Sequence, residues 1–98
     1  MMTSPLYVVV RFALKPGELD TLVPLIQEFF AQEVSAVPGF IAARLHANEA
    51  GTVLINYATW ESAAHFQYFI EHVAMVSEIA KQIRAFDQQT DRVFEIPL

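Results

Sequence analysis

At 98 residues with a formal net charge of −5, the chain is sized for one domain over residues 1–98, and its scattered basic residues offer no patch for a phosphate backbone, so nucleic acid is not an expected partner. The lack of cysteine removes disulfides, thiolate metal sites and thiol nucleophiles. A hydrophobic fraction of 54% against 17% charged residues is high for a small soluble domain and implies that another copy of the chain covers part of the surface, while charges break the apolar runs before the roughly 20 residues that span a bilayer, so no membrane association is expected.

The start, Met1-Met-Thr-Ser-Pro-Leu6, has no basic leader region and does not resemble a secretory signal, and a cytoplasmic protein is the expectation. Leu6 to Leu14 is rich in β-formers and apolar on both parities, which suits a strand covered on both faces. Lys15-Pro16-Gly17 is a turn. Beyond it Leu19, Leu22, Val23, Ile26, Phe29, Phe30, Val34 and Val37 recur at helical spacing. Pro24 within that pattern predicts either a place near the first turn or a bend.

Pro38-Gly39 ends the helix, and Phe40 to Ala47 reads as a second strand. The short loop Asn48-Glu-Ala-Gly51 favours an antiparallel hairpin with a third strand, Leu54-Ile-Asn-Tyr-Ala-Thr-Trp60-Glu61. Alternation along it puts Leu54, Asn56, Ala58 and Trp60 on one face. A second helical region opens after Ser62 as N-cap and runs to Ile83 or Ala85, with a break near Glu71 or His72. Arg92 to Ile96 is the short last strand. The order β-α-β-β-α-β predicts the α+β, ferredoxin-like split βαβ fold, with a four-stranded antiparallel sheet and both helices on one face. The other, apolar face then predicts a symmetric homodimer.

Asn56 is an amide in the middle of an apolar strand, and it needs a neighbouring backbone, a water or a ligand as partner. Trp60, on the same face, closes the strand as core or stacks on a ligand. His65 and His72 are seven apart, about two helical turns, and either is a proton acceptor near neutral pH. That spacing is not a metal motif, and no metal is expected. His46 reads as a solvated or dimer-face residue. Phe29, Phe30, Phe66, Tyr68 and Phe69 form aromatic stripes that serve as core or as walls for a flat polycyclic ligand. Arg44 and Arg84 either steer an anionic substrate or pair with surface carboxylates. No Ser-His-Asp constellation or phosphate-binding loop is visible.

The strand-Lys15-Pro16-Gly17-helix opening, Val37-Pro38-Gly39-Phe40, and Thr59-Trp60-Glu61-Ser62 before a helix with His65, Phe69 and His72 together resemble the antibiotic biosynthesis monooxygenase family, a branch of the dimeric α+β barrel proteins. The resemblance covers nearly the whole chain. It implies a cofactor-independent monooxygenase that uses O2 to oxidise an anthrone-like aromatic polyketide to a quinone. Some of these enzymes pair an asparagine with a tryptophan four residues on, matched here by Asn56 and Trp60, with Phe66 where some carry a helix tyrosine. On this reading Asn56, Trp60, His72 and His65 are the catalytic candidates, and Phe66, Phe69, Phe30 and Tyr68 hold the substrate. The alternatives are a non-oxidative isomerase or ligand-binding protein of the same fold and, further off, a haem-degrading monooxygenase. The latter resemblance calls for an asparagine on the first strand, whose polar member here is Arg11.

Overall fold

The computed structural model describes residues 4–98. The elements run β1 Leu6–Ala13, α1 Glu18–Phe29, β2 Phe40–Ala47, β3 Val53–Trp60, α2 Ala63–Phe69, α3 Glu78–Arg84 and β4 Gln88–Val93. A π-helical turn extends α1 over Phe30–Val34, and another extends α2 over Ile70–Ala74. The four strands form one antiparallel sheet in the order β2-β3-β1-β4, the ferredoxin-like α+β arrangement. The reading of the chain's start rests in part on residues 1–3, which lie outside the described residues. Among the described residues no helix is long and apolar enough to cross a membrane.

Period-two alternation explains which face of the sheet is buried. Leu6, Val8 and Phe12 of β1 lie beside Leu54, Ala58 and Trp60 of β3, all buried. Onto them α1 lays Leu22, Ile26 and Phe29, α2 lays Phe66 and Phe69, and α3 lays Ala80. Two core clusters result, and Val10, Phe30 and Ile83 pack against both. The opposite parity, including Tyr7, Val9, Ile55 and Tyr57, faces away from the helices, and the Tyr7 and Tyr57 rings stack there at 5.6 Å.

The π turns account for the apolar spacing of the helices. Ser35 N donates to Phe30 O at 3.0 Å and Met75 N to Ile70 O at 3.0 Å, each a five-residue step. The buried series therefore jumps from Phe29 to Val34 and from Phe69 to Ala74. The extra residue in each turn, Phe30 and Ile70, also faces inward, toward the space between helices and sheet.

Of the two places expected for Pro24, the first turn is ruled out: the residue sits inside α1, at an exposed position. Two expectations need correction. The second helical region breaks at Met75–Ser77 rather than near Glu71 or His72. Ser77 starts α3 as an N-cap, accepting from Ala80 N at 3.1 Å and donating to Glu33 at 2.9 Å. The last strand begins at Gln88, four residues before the expected Arg92, and ends at Val93, so Ile96 lies outside it. As an edge strand pairing only with β1, it can carry Gln88, Gln89, Thr90 and Asp91 without burying unpaired polar groups.

Candidate functional site

Between the sheet and the three helices lies a cavity of about 250 Å³. Its sheet wall is Val8, Val10, Asn56, Ala58 and Trp60, adjacent positions of β1 and β3 on the helix-facing parity. Phe29 and Phe30 reach it from α1 and its π turn, and Phe66, Phe69 and Ile70 from α2 and its π turn. Trp60 anchors the aromatic end, with ring centroids 4.9 Å from Phe69, 5.6 Å from Phe66 and 5.4 Å from Phe40.

Asn56 is the polar exception in this wall. It stands opposite Val10 on one side and Leu45 on the other, so its strand neighbours offer only apolar side chains. Its Oδ1 is buried without a hydrogen-bond partner among the described residues. A buried acceptor left unpaired costs roughly 1–3 kcal/mol, so Oδ1 calls for a donor from solvent or from a ligand in the cavity. A ligand hydroxyl pointing at Asn56 would relieve that cost, and the amide N–H groups would then be available to a neighbouring ligand oxygen.

The far end of the cavity is polar and comes from α3 and β4. Arg84 Nη1 donates to Ala74 O at 2.8 Å, which holds the guanidinium at the wall. Gln88 Nε2 donates to Ile83 O at 2.9 Å and Phe86 O at 3.2 Å, and Thr90 lies two residues on along the same face. Gln88 and Thr90 are absent from the sequence-based candidates because the last strand is expected later. Arg44, the other arginine considered, pairs with Tyr57 in the register and lies on the opposite parity.

Of the eight expected site residues, Asn56, Trp60, Phe66, Phe69 and Phe30 come together on the cavity wall, while His65, His72 and Tyr68 do not line it. His65 closes the start of α2: its backbone N–H donates to Ser62 Oγ at 3.2 Å and its Nδ1 sits 2.7 Å from the same hydroxyl. Its Nε2 lies 3.6 Å from Glu61, and its ring packs where a Cβ on Gly39 would stand. His65 and Tyr68 border a shallow outer depression with Pro38. His72 is exposed and its ring lies 4.4 Å from that of Tyr68. His46 is exposed on β2 opposite Ile55.

Among the described residues the cavity wall therefore holds one ionisable side chain, Arg84, and no histidine or carboxylate. Among the described residues no three His, Asp or Glu side chains gather as a metal-binding group. Tyr7, on the other face of the sheet, has its phenol held above the usual range, by burial first and then by the charge of Glu95, whose carboxylate it contacts at 3.4 Å.

A family model described as antibiotic biosynthesis monooxygenase matches residues 5–77. No curated protein matches the sequence. Among solved structures, a monooxygenase from the gene ActVA-Orf6 of Streptomyces coelicolor, in complex with nanaomycin D, is similar with a TM-score of 0.77 and 22% identity over 98% of this chain and 90% of that one. A conserved protein of unknown function from Bacteroides thetaiotaomicron gives a TM-score of 0.80 at 15% identity, covering 95% of this chain and 99% of that one. Rv0793 of Mycobacterium tuberculosis gives 0.70 at 19% identity, covering 97% and 96%. At these identities the structures share the fold.

Proposed function

The chain belongs to the antibiotic biosynthesis monooxygenase family, and on that premise we propose that it is a cofactor-independent monooxygenase that oxidises an electron-rich, hydroxylated aromatic of the anthrone type to a quinone with O2. The observation that carries this reading is the unpartnered Oδ1 of Asn56 facing an apolar, aromatic cavity beside Trp60. That the Streptomyces coelicolor protein is a monooxygenase supports the oxidative choice.

The chemistry resides in the substrate. Loss of a proton gives an enolate or phenolate, which passes one electron to O2. The radical pair recombines into a C–O bond. The resulting hydroperoxide then loses water as the O–O bond breaks and the remaining C–H proton departs, leaving a carbonyl. One O2 thus supplies one quinone oxygen and one water. In this scheme a substrate hydroxyl donates to Asn56 Oδ1, and the Asn56 amide and the Trp60 indole N–H donate to oxygen as negative charge develops. Arg84 favours the ionised substrate. With neither His65 nor His72 in the wall, the proton leaves to water rather than to a side-chain base. The apolar remainder keeps the anion and its radical partner from bulk solvent.

The active form in this reading is a homodimer joined through the open face of the sheet, where Tyr57 is 39% and Val93 40% exposed on the side away from the helices. Oxygen uptake and quinone absorbance, followed together after dialysis against a chelator, test the function on a reduced anthrone. The expected result is one quinone per O2 consumed, above the rate of the anthrone alone. Uptake no faster than that blank contradicts the reading, and tight binding without uptake supports a non-catalytic ligand-binding protein instead.

A further inference from the structure

Asn56 lines a second concavity as well as the cavity. This is a groove of about 440 Å³ between α1 and β2, bordered by Gln27 and Ser35 on the helix side and by Phe40 and Leu45 on the strand side. Ile26, Phe30 and Asn56 line both spaces. Phe30, Ile26 and Asn56 therefore stand between the two spaces, and Phe30 is the bulkiest of the three.

Two features of the chain create this arrangement. The π turn adds a residue to the inward face of α1, which turns Phe30 inward next to Phe29, with ring centroids 6.1 Å apart. Across the groove, the chain places Ala31, Ala42 and Ala43, so the space there comes from missing side-chain volume. A bulge at Ile41 lets Phe40 and Ala43 share the inward parity, and Phe40 abuts Phe30 at 5.6 Å.

We propose that Phe30 is a specificity-determining residue of the Asn56 site: its ring limits how long an aromatic ligand the cavity accepts, and the β2 groove receives the excess length when that ring is removed. The cavity alone, at about 250 Å³, falls below the roughly 300–1,000 Å³ of sites that enclose a drug-sized ligand; opening it into the groove removes that limit. The inference rests on the preceding subsection for the ligand being a flat hydroxylated aromatic, and not for its oxidation.

Binding without oxygen separates the two. Trp60 is the only tryptophan in the chain, and its indole lines the cavity, so quenching of its fluorescence under anaerobic conditions reports occupancy with no turnover. The probes are a two-ring naphthol and a linear four-ring phenol, titrated into wild type, Phe30→Ala and Phe30→Leu. Phe30→Ala is expected to tighten four-ring binding about tenfold and to change naphthol binding less than about threefold, with Phe30→Leu between. Equal changes for both probes, or none, overturn the assignment of Phe30 while leaving the monooxygenase reading to its own assay. If Phe30→Ala does not fold, as judged by its Trp60 emission maximum, the Phe30→Leu ratio decides by the same criterion. Failure of every form to bind either probe removes both readings.

Discussion

Asn56 sets function against stability within one side chain. Its Oδ1 has no partner among the described residues, so no described backbone group depends on it, and an acceptor left without any donor costs roughly 1–3 kcal/mol. Asn56→Leu, which keeps the branch at Cγ and carries no polar atoms, is therefore expected to raise the thermal midpoint by roughly 4–8 °C for each kcal/mol recovered in a domain of this size. A lower midpoint would show that the amide is scaffold. Arg84 makes a different prediction, because its charge acts on the ligand and not on the core. Arg84→Gln removes the cation and leaves a shorter polar side chain. A phenol then ionises less readily, so the acid limb of the turnover profile should move to higher pH by about one unit or more. A profile that does not move would put the guanidinium outside the chemistry.

At the scale of elements, Gly39 links the start of β2 to the start of α2. Its φ is +90°, and a Cβ there would overlap the His65 ring, while its carbonyl accepts from Glu61 N at 2.8 Å. Gly39→Ala should lower the urea midpoint by an amount equivalent to roughly 1–3 kcal/mol, and an unchanged midpoint would contradict this packing. The Pro38-Gly39 stop was legible because glycine after a helical pattern has few other meanings. So was Ser62, a capping residue ahead of apolar helical spacing. The break at Met75–Ser77 was hidden by the π turn, which lengthens the apolar step from Phe69 to Ala74 and makes Glu71 and His72 look out of phase. The start of β4 was hidden by composition: Gln88-Gln-Thr-Asp91 reads as loop until a sheet edge is known to be there. Missing it also removed Gln88 and Thr90 from the candidate site, while Asn56 and Trp60 were within reach because period-two alternation alone places them together. No local pattern could place Arg84 against the same cavity, since it arrives from α3 by tertiary packing.

For the whole molecule the proposed dimer rests on the open sheet face. Val9, Ile55, Tyr57 and Tyr7 form its centre with no helix over them, and a stable interface buries about 800 Å² per partner. Light scattering should return a dimer at micromolar concentration, and Ile55→Lys should return a monomer that still folds. A wild-type monomer at that concentration would contradict the proposed dimer. The same face carries a pH dependence through Tyr7. Its phenol is raised in the folded state, so the neutral form is favoured by folding relative to the anion. Its contribution to stability is fully present below about pH 10, the ordinary tyrosine value, and is lost as pH rises through the higher folded value. Urea midpoints should therefore fall through that alkaline window in wild type and fall less in Tyr7→Phe. The most direct test of the oxidative reading remains at Asn56: quinone formation per folded molecule in Asn56→Leu should drop by about one to three orders of magnitude, as loss of one donor to a developing oxyanion does, and a rate equal to wild type in a folded Asn56→Leu would contradict it.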